Sequence, residues 1–206
     1  MDLPSKILQT AVDEISTLPG IGKNTAIRLC LHMLQRPSFL TENLGIALHR
    51  LVSETIYCKN CFQISDQEIC SICLSPKRNK HQICVVEQIT DLLAIEKTGV
   101  YKGVFHVLGG KIDPMEGIGP EKLKINELLT SIEKLGKTKP IEIIFAFSST
   151  FEGDTTMFYL HKKLKQFPAT FYNLARGVGI GDELHYTNSL TLAKSLENKV
   201  VYDETT

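Results

Sequence analysis

Four cysteines in the pattern Cys58-x2-Cys61-x8-Cys70-x2-Cys73 have the type and spacing that specify a chemistry most sharply. Two Cys-x-x-Cys knuckles each present two thiolates to one tetrahedral ion, and four soft sulfur ligands select zinc. With every ligand position filled by protein, no place is left for water. The expected zinc is therefore structural, one per chain, and not catalytic. Four unrelated thiols or two disulfides are the alternatives; the regular spacing argues against the first and a reducing compartment against the second. Cys30 and Cys84 sit inside apolar patterns and read as small buried hydrophobes.

A second chemistry is suggested by Leu18-Pro19-Gly20-Ile21-Gly22 between two helical patterns. Gly20 and Gly22 let the backbone turn tightly and approach a ligand, and the following helix offers free N–H groups and a positive dipole end. Such a turn binds phosphate without reading a base. Lys23 and Arg28 would add positive charge beside it, with Leu18, Ile21, Ala26 and Leu29 bracing the hairpin. The alternative is a glycine turn joining two helices with no ligand.

A third is acidic. Glu87 ends one apolar strand pattern and Glu152-Gly153-Asp154 follows a later one. Residues just past the carboxyl ends of parallel strands gather at one edge, so these carboxylates are expected to form a hard-oxygen site of the Mg²⁺ type. The competing reading is three separate surface carboxylates. No base is placed for catalysis: His106 lies within an apolar strand and reads as a core histidine, although Lys111 is in the same region. Pro76-Lys77-Arg78-Asn79-Lys80 is a charge run, either a solvated face or a phosphate contact. Gly177 to Gly181 lacks the Lys-Ser/Thr of a phosphate loop, which disfavours nucleotide binding there.

The elements that must position these residues change rhythm along the 206-residue chain. Ile7, Leu8, Ala11, Val12 and Ile15 recur at helical spacing, Asn24–Gln35 resumes that pattern after the glycine turn, and a third helix fits Glu42–Glu54. From His81 short apolar strands alternate with helices: strands at Ile83–Val86, Val104–Leu108, Ile141–Phe147 and Ala169–Asn173, helices at Asp91–Lys97, Glu121–Leu135 and Asp154–Gln166. That alternation predicts a parallel sheet covered on both faces. The expected order is a helical module over 1–55, a cysteine module over 56–80, an α/β domain over 81–175, and a glycine-rich segment with a helix and a strand over 176–206.

Composition excludes several classes. Hydrophobic residues make up 43% and charged residues 22%, which is ordinary for a folded globular protein. No apolar run approaches the length of a membrane span, and the first residues show no signal peptide, so a cytoplasmic location is expected. Net charge is zero, with residues 1–80 at +2, 81–155 at −3 and 156–206 at +1. A strongly basic nucleic-acid coat is thus excluded, and opposite-sign partners would meet a basic amino-terminal part or an acidic centre.

Taken in order, these modules resemble the RecR family of bacterial recombination mediators over essentially the full length. The glycine turn resembles a helix-hairpin-helix motif and the acidic region a toprim domain. The block Cys58-x2-Cys61-x3-Ser65-x4-Cys70-x-Ile72-Cys73-x4-Arg78 is similar to that family's zinc signature, arginine included. Ile83-Cys-Val-Val-Glu87, Gly117-Ile-Gly-Pro120, Glu152-Gly-Asp154 and Leu174-Ala-Arg-Gly177 with Gly181 also match. The resemblance implies an α/β fold of several modules and a non-catalytic, nucleoid-associated DNA-repair factor. Self-association as a dimer or tetrameric ring is implied, together with DNA backbone contacts from Gly20, Gly22, Lys23 and Arg28. It further implies work with RecO and RecF homologues to load RecA at gaps, with Glu87, Glu152 and Asp154 serving the RecO partnership. The alternative is a Mg²⁺-dependent toprim nuclease using the same three carboxylates. Three residues depart from the family pattern: Lys23 replaces a basic residue usually one position later, Asp154 stands where glutamate is usual, and Gly179 where proline is usual.

Overall fold

The computed structural model describes residues 3–201, and the chain divides at Thr55 into two units. In the first, α1 (Lys6–Ser16) is started by Ser5, whose hydroxyl accepts from Leu8 N, and α2 (Lys23–Gln35) packs against it. Val12, Ala26 and Cys30 form the buried centre, with Leu8, Ile15, Ile21, Ile27 and Met33 around it. Pro37 biases Arg36 to extended backbone and ends α2. The next helix, α3 (Ser38–Ser53), begins earlier than the expected Glu42 and has no buried residue.

The second unit opens with a two-stranded antiparallel ribbon, β1 (Ile56–Tyr57) and β2 (Ile64–Ser65), and a single helical turn, α4 (Ser71–Leu74). A four-stranded parallel sheet follows, in the order β4-β3-β5-β6: β3 (Asn79–Val86), β4 (Gly103–Val107), β5 (Ile141–Ala146) and β6 (Ala169–Asn173). The carboxyl half of β3 is a continuous apolar run because both its faces are covered, whereas the edge strand β6 alternates half-buried and exposed residues. One face carries Ile83, Val85, Ile141, Ile143 and Phe145, packed against Leu128 and Ile132 of α6 (Ile125–Gly136) and Leu160 and Leu164 of α7 (Phe151–Leu164). On the other face Cys84, Val86, Phe105, Val107 and Ala146 meet Leu92 of α5 (Ile89–Lys97).

Besides α3, β3 starts at Asn79 rather than Ile83 and α5 at Ile89 rather than Asp91, and two further boundaries bear on the sites. The helix expected from Glu121 is broken into a 3₁₀ turn at Pro120–Lys122 and α6. The break has a cause: Lys124 N donates to Leu108 O at 3.0 Å, and Lys124 O accepts from His106 Nε2 at 2.7 Å, so the end of β4 captures this peptide from both sides. Second, α7 begins at Phe151, with Thr150 as its cap, so Glu152 and Asp154 lie in the first helical turn rather than in a preceding loop.

After β6 come a 3₁₀ turn at Leu184–Tyr186 and α8 (Ser189–Glu197). Residues 198–201 form no strand, and the rest of the strand expected at the carboxyl end falls outside the described residues. Among the described residues no helix is long and apolar enough to cross a membrane.

Candidate nucleic-acid interface, cysteine cluster and acidic edge

Within the first unit, Gly20 has φ +79, a left-handed conformation that glycine adopts without strain, and closes the turn between α1 and α2. Gly22 is the cap residue of α2 and offers no side chain to its N–H groups. The first intrahelical donor is Ala26 N, bonded to Gly22 O at 3.0 Å, which leaves the amides of Lys23, Asn24 and Thr25 pointing out of the helix end. A Cβ on either Gly20 or Gly22 would meet nothing within 4 Å, so the approach to those amides is open. Lys23 stands at this end, 3.7 Å from Asp13, in an exposed pair of the kind that contributes little and exchanges readily. Arg28 is exposed but five residues further on, about 140° around the helix from Lys23. The two cations therefore do not share one face. Of the expected hairpin braces, Ile21 and Ala26 pack in the centre, whereas Leu18 and Leu29 are exposed.

In the second unit all four expected cysteines converge. Their sulfurs lie within 4.8 Å of one another, and all four residues are buried. Tetrahedral zinc with bonds of about 2.3 Å would set the sulfurs about 3.8 Å apart, and Cys61 Sγ and Cys70 Sγ already stand at 3.6 Å. Backbone amides orient the set: Cys70 N donates to Cys58 Sγ at 3.3 Å and Cys73 N to Cys70 Sγ at 3.5 Å. Burial raises the Cys58 thiol, yet the amides of Cys70, Cys61 and Asn60 outweigh that and bring its pKa down to about 7. The Cys73 sulfur, then burial, push the Cys61 thiol far up, and burial raises Cys70. Four such sulfurs cannot all ionise side by side without a cation between them, so the donor set fits a soft divalent ion.

The cluster is tied to the sheet. Cys61 O accepts from Val107 N at 2.9 Å, and the Phe62 ring meets His106 edge-on at 5.3 Å. His106 is buried, and burial lowers its pKa to about 4 against the opposing pull of the Lys124 carbonyl. It is a neutral core histidine, as its strand pattern implied. Arg78 turns inward as well. Its guanidinium bonds the Glu96 carboxylate, Tyr101 O at 3.1 Å and Gly103 O at 3.3 Å, clamping the chain after α4 to the α5–β4 connection. Of the expected charge run, Arg78 is thus withdrawn from any phosphate-facing role.

The acidic residues line one strand-end edge, each with its own partner. Glu87 Oε1 accepts from Ser148 N and Ser148 Oγ, both at 2.6 Å. Glu152 lies 3.6 Å from Lys111 Nζ, which also donates to Thr150 Oγ1 at 3.1 Å. Asp154 receives Arg176 at 2.5 Å. The Glu152 backbone amide, the Thr150 hydroxyl and Lys111 hold Glu152 below the ordinary carboxylate range, and Arg176 does the same for Asp154. Among the described residues, the cysteines are the one group of three or more metal-ligating side chains whose ligand atoms all lie within 4.8 Å of one another; the three carboxylates do not gather so closely. With Lys111 and Arg176 the edge carries a single net negative charge. Gly153 is required between the two acids because a Cβ there would fall against Ser148 O. Lys111, Thr150 and Arg176 are the functional neighbours that sequence reasoning did not assign. The Ser148-Ser149-Thr150 run before Glu152 was the available cap signal.

Comparison with known proteins bears on each unit. Residues 8–52 match the family model described as RecR, helix-hairpin-helix, and residues 81–175 match the Toprim domain. The recombination protein RecR of Amoebophilus asiaticus is 52% identical over 202 residues, 98% of this chain and all of that protein. That of Flavobacterium johnsoniae is 48% identical across the whole of this chain and 98% of its own. The Cytophaga hutchinsonii protein is 48% identical over 98% of both chains.

Proposed function

The chain belongs to the RecR family of recombination proteins, and from that premise we propose that it is a non-catalytic recombination mediator that holds the DNA backbone through the Gly20–Lys23 turn. The observation that carries this reading is the open end of α2: three outward amides, two glycines with clear space above them, and Lys23 beside them, within the segment that matches the RecR helix-hairpin-helix. Such a grip reads phosphate and no base. Lys23→Ala is expected to weaken DNA binding and to lower the slope of log affinity against log salt by about 0.9 if one duplex phosphate contact is lost. Arg28→Ala is expected to do less, because Arg28 faces away from the turn. Unchanged affinity and slope for Lys23→Ala would refute this grip.

The cysteine cluster takes one structural zinc per chain in this reading. Self-association as a dimer or tetrameric ring is supported by the first unit, where Leu34, Phe39, Ile46, Leu48, Leu51 and Val52 are all exposed. The acidic edge serves docking to a RecO homologue, with a RecF homologue as the further partner in loading RecA at gaps, and the site of action is the cytoplasmic nucleoid. The docking reading has a specific consequence: a basic partner must displace Lys111 and Arg176 to reach Glu152 and Asp154. Glu152→Ala combined with Asp154→Ala is therefore expected to weaken RecO capture at least tenfold while leaving DNA affinity alone. RecO binding equal to wild type in a pull-down titration would remove the acidic edge from the account. A nuclease role for Glu87, Glu152 and Asp154 has less support, since each carboxylate is already engaged by a partner of its own.

A further inference from the structure

Where the cysteine module meets the sheet lies a cavity of 620 Å³ that the reading above does not use. It opens beyond the carboxyl ends of β3 and β4, the edge where open α/β sheets take ligands. Tyr57 and Phe62 supply aromatic rings, and Ile89 and Val107 supply apolar wall. Tyr57 is 64% exposed, so its ring is open to a stacking partner. Phe62 holds φ +64, a conformation that costs a bulky residue. Its ring meets His106, and Lys124 Nζ lies 5.5 Å from its centroid.

The polar groups in the lining are as informative. Lys59 and Lys124 are present and no carboxylate is. Their ion pairs, to Glu68 at 2.7 Å and Glu127 at 3.3 Å, are solvent-exposed and exchange at little cost. Gln88 and Thr90 bring an amide and a hydroxyl. The Gln88 backbone is engaged, its carbonyl accepting from Asp91 N at 3.2 Å and its N–H donating to Asp91 Oδ2 at 2.8 Å, while its side-chain amide lines the cavity. Rings, apolar wall, two cations and neutral hydrogen-bonding groups together describe the complement of a planar base carrying a phosphate.

We propose that this cavity binds one nucleotide unit, an unstacked base with its phosphate, from single-stranded DNA. The inference rests on the DNA-binding reading above and deepens it. The hairpin grips any backbone, whereas this cavity accepts only a base released from a duplex, which would bias the protein toward the single-stranded part of a gap. The base stacks on Tyr57 and Phe62, and the phosphate meets Lys59 and Lys124. A free mononucleotide has the same chemistry.

The test compares the full-length, metal-replete protein with Tyr57→Ala and with Thr90→Glu. The second variant puts a carboxylate at the cavity rim but in the first turn of α5, where an acid favours the helix, so the fold is preserved. Each is titrated with a (dT) oligonucleotide, a duplex of equal length, and dTMP. Both variants are expected to lose roughly 5- to 100-fold for the oligonucleotide, the range for one stacked base, with duplex affinity unchanged. Saturable dTMP binding lost in both variants would identify a free nucleotide as an occupant; no dTMP binding alongside the oligonucleotide defect would identify the strand. Equal losses for oligonucleotide and duplex, or no loss for either, would overturn the proposal. Wild-type protein that binds neither DNA would instead defeat the DNA-binding reading on which it rests.

Discussion

Stripping the metal from the Cys58–Cys61–Cys70–Cys73 cluster is expected to unfold residues 56–75 and loosen the adjoining end of β4. The expectation follows from how little else holds that segment. It contains two strands of two residues each and one helical turn, and its buried centre is the four cysteines themselves, flanked by Ile69 and Ile72. For a module of this size, structural zinc supplies on the order of 10–16 kcal/mol of apparent binding energy that acts as folding energy. The loss should spread because Cys61 O caps Val107 N and Phe62 packs on His106. Hydrogen exchange after chelation should show protection lost over 56–75 and at Val107, with the α6 face of the sheet retained. Zinc requires thiolates, so protons compete with it; as pH falls through about 7 the Cys58 thiol, held down by its amide hydrogen bonds, is protonated and uptake weakens. Cys70→Ser should reproduce the chelated state. A metal-free protein with unaltered exchange over this segment would remove zinc from the account of the fold.

The second large effect is expected at Arg78. Arg78→Ala should destabilise the second unit by about 2–4 kcal/mol, because the deletion leaves the Glu96 carboxylate and the Tyr101 and Gly103 carbonyls without their donor. The full penalty for breaking a buried pair is discounted here, since the Glu96 side chain is 30% exposed. Arg78→Lys should recover only part, as an ammonium cannot span a carboxylate and two carbonyls in one plane. In thermal unfolding the alanine variant should fall by about 5–15 °C. Lys77→Ala, an exposed neighbour, should shift it little. Equal behaviour of the Arg78 and Lys77 variants would mean that the clamp contributes nothing.

Arg78 also shows what the sequence makes legible. The family signature includes this arginine, but its neighbours Lys77 and Lys80 make the stretch look like a solvated or phosphate-facing run. Only the folded path around Tyr101 and Gly103 turns it inward. Gly103 itself is needed because a Cβ there would strike the Tyr101 hydroxyl, which lies 2.9 Å from both Gln82 O and Val104 O at the irregular β3–β4 register. Such long-range constraints leave no periodic trace. The middle of the parallel sheet, in contrast, was readable because both faces are covered there, which makes Ile83–Val86 of β3 and Ile143–Ala146 of β5 apolar runs, whereas β6 shows only half-buried alternation. The cysteine cluster was readable because metal geometry fixes local spacing. The ribbon of β1 and β2 is too short to show alternation. Leu18 and Leu29 fit the helical period, but period does not say whether a partner covers the stripe. At the acidic edge the three carboxylates were visible, whereas Lys111 and Arg176 come from distant points of the chain and only folding places them opposite Glu152 and Asp154.

The most direct test of the central claim is a titration of gapped plasmid with zinc-replete protein, with and without Mg²⁺, each sample resolved on native and then on denaturing gels. The account predicts a salt-sensitive shift on the native gel, reduced by Lys23→Ala, with every strand intact on the denaturing gel. Mg²⁺-dependent nicking that disappears with Glu152→Ala would contradict it and make the acidic edge a catalytic centre.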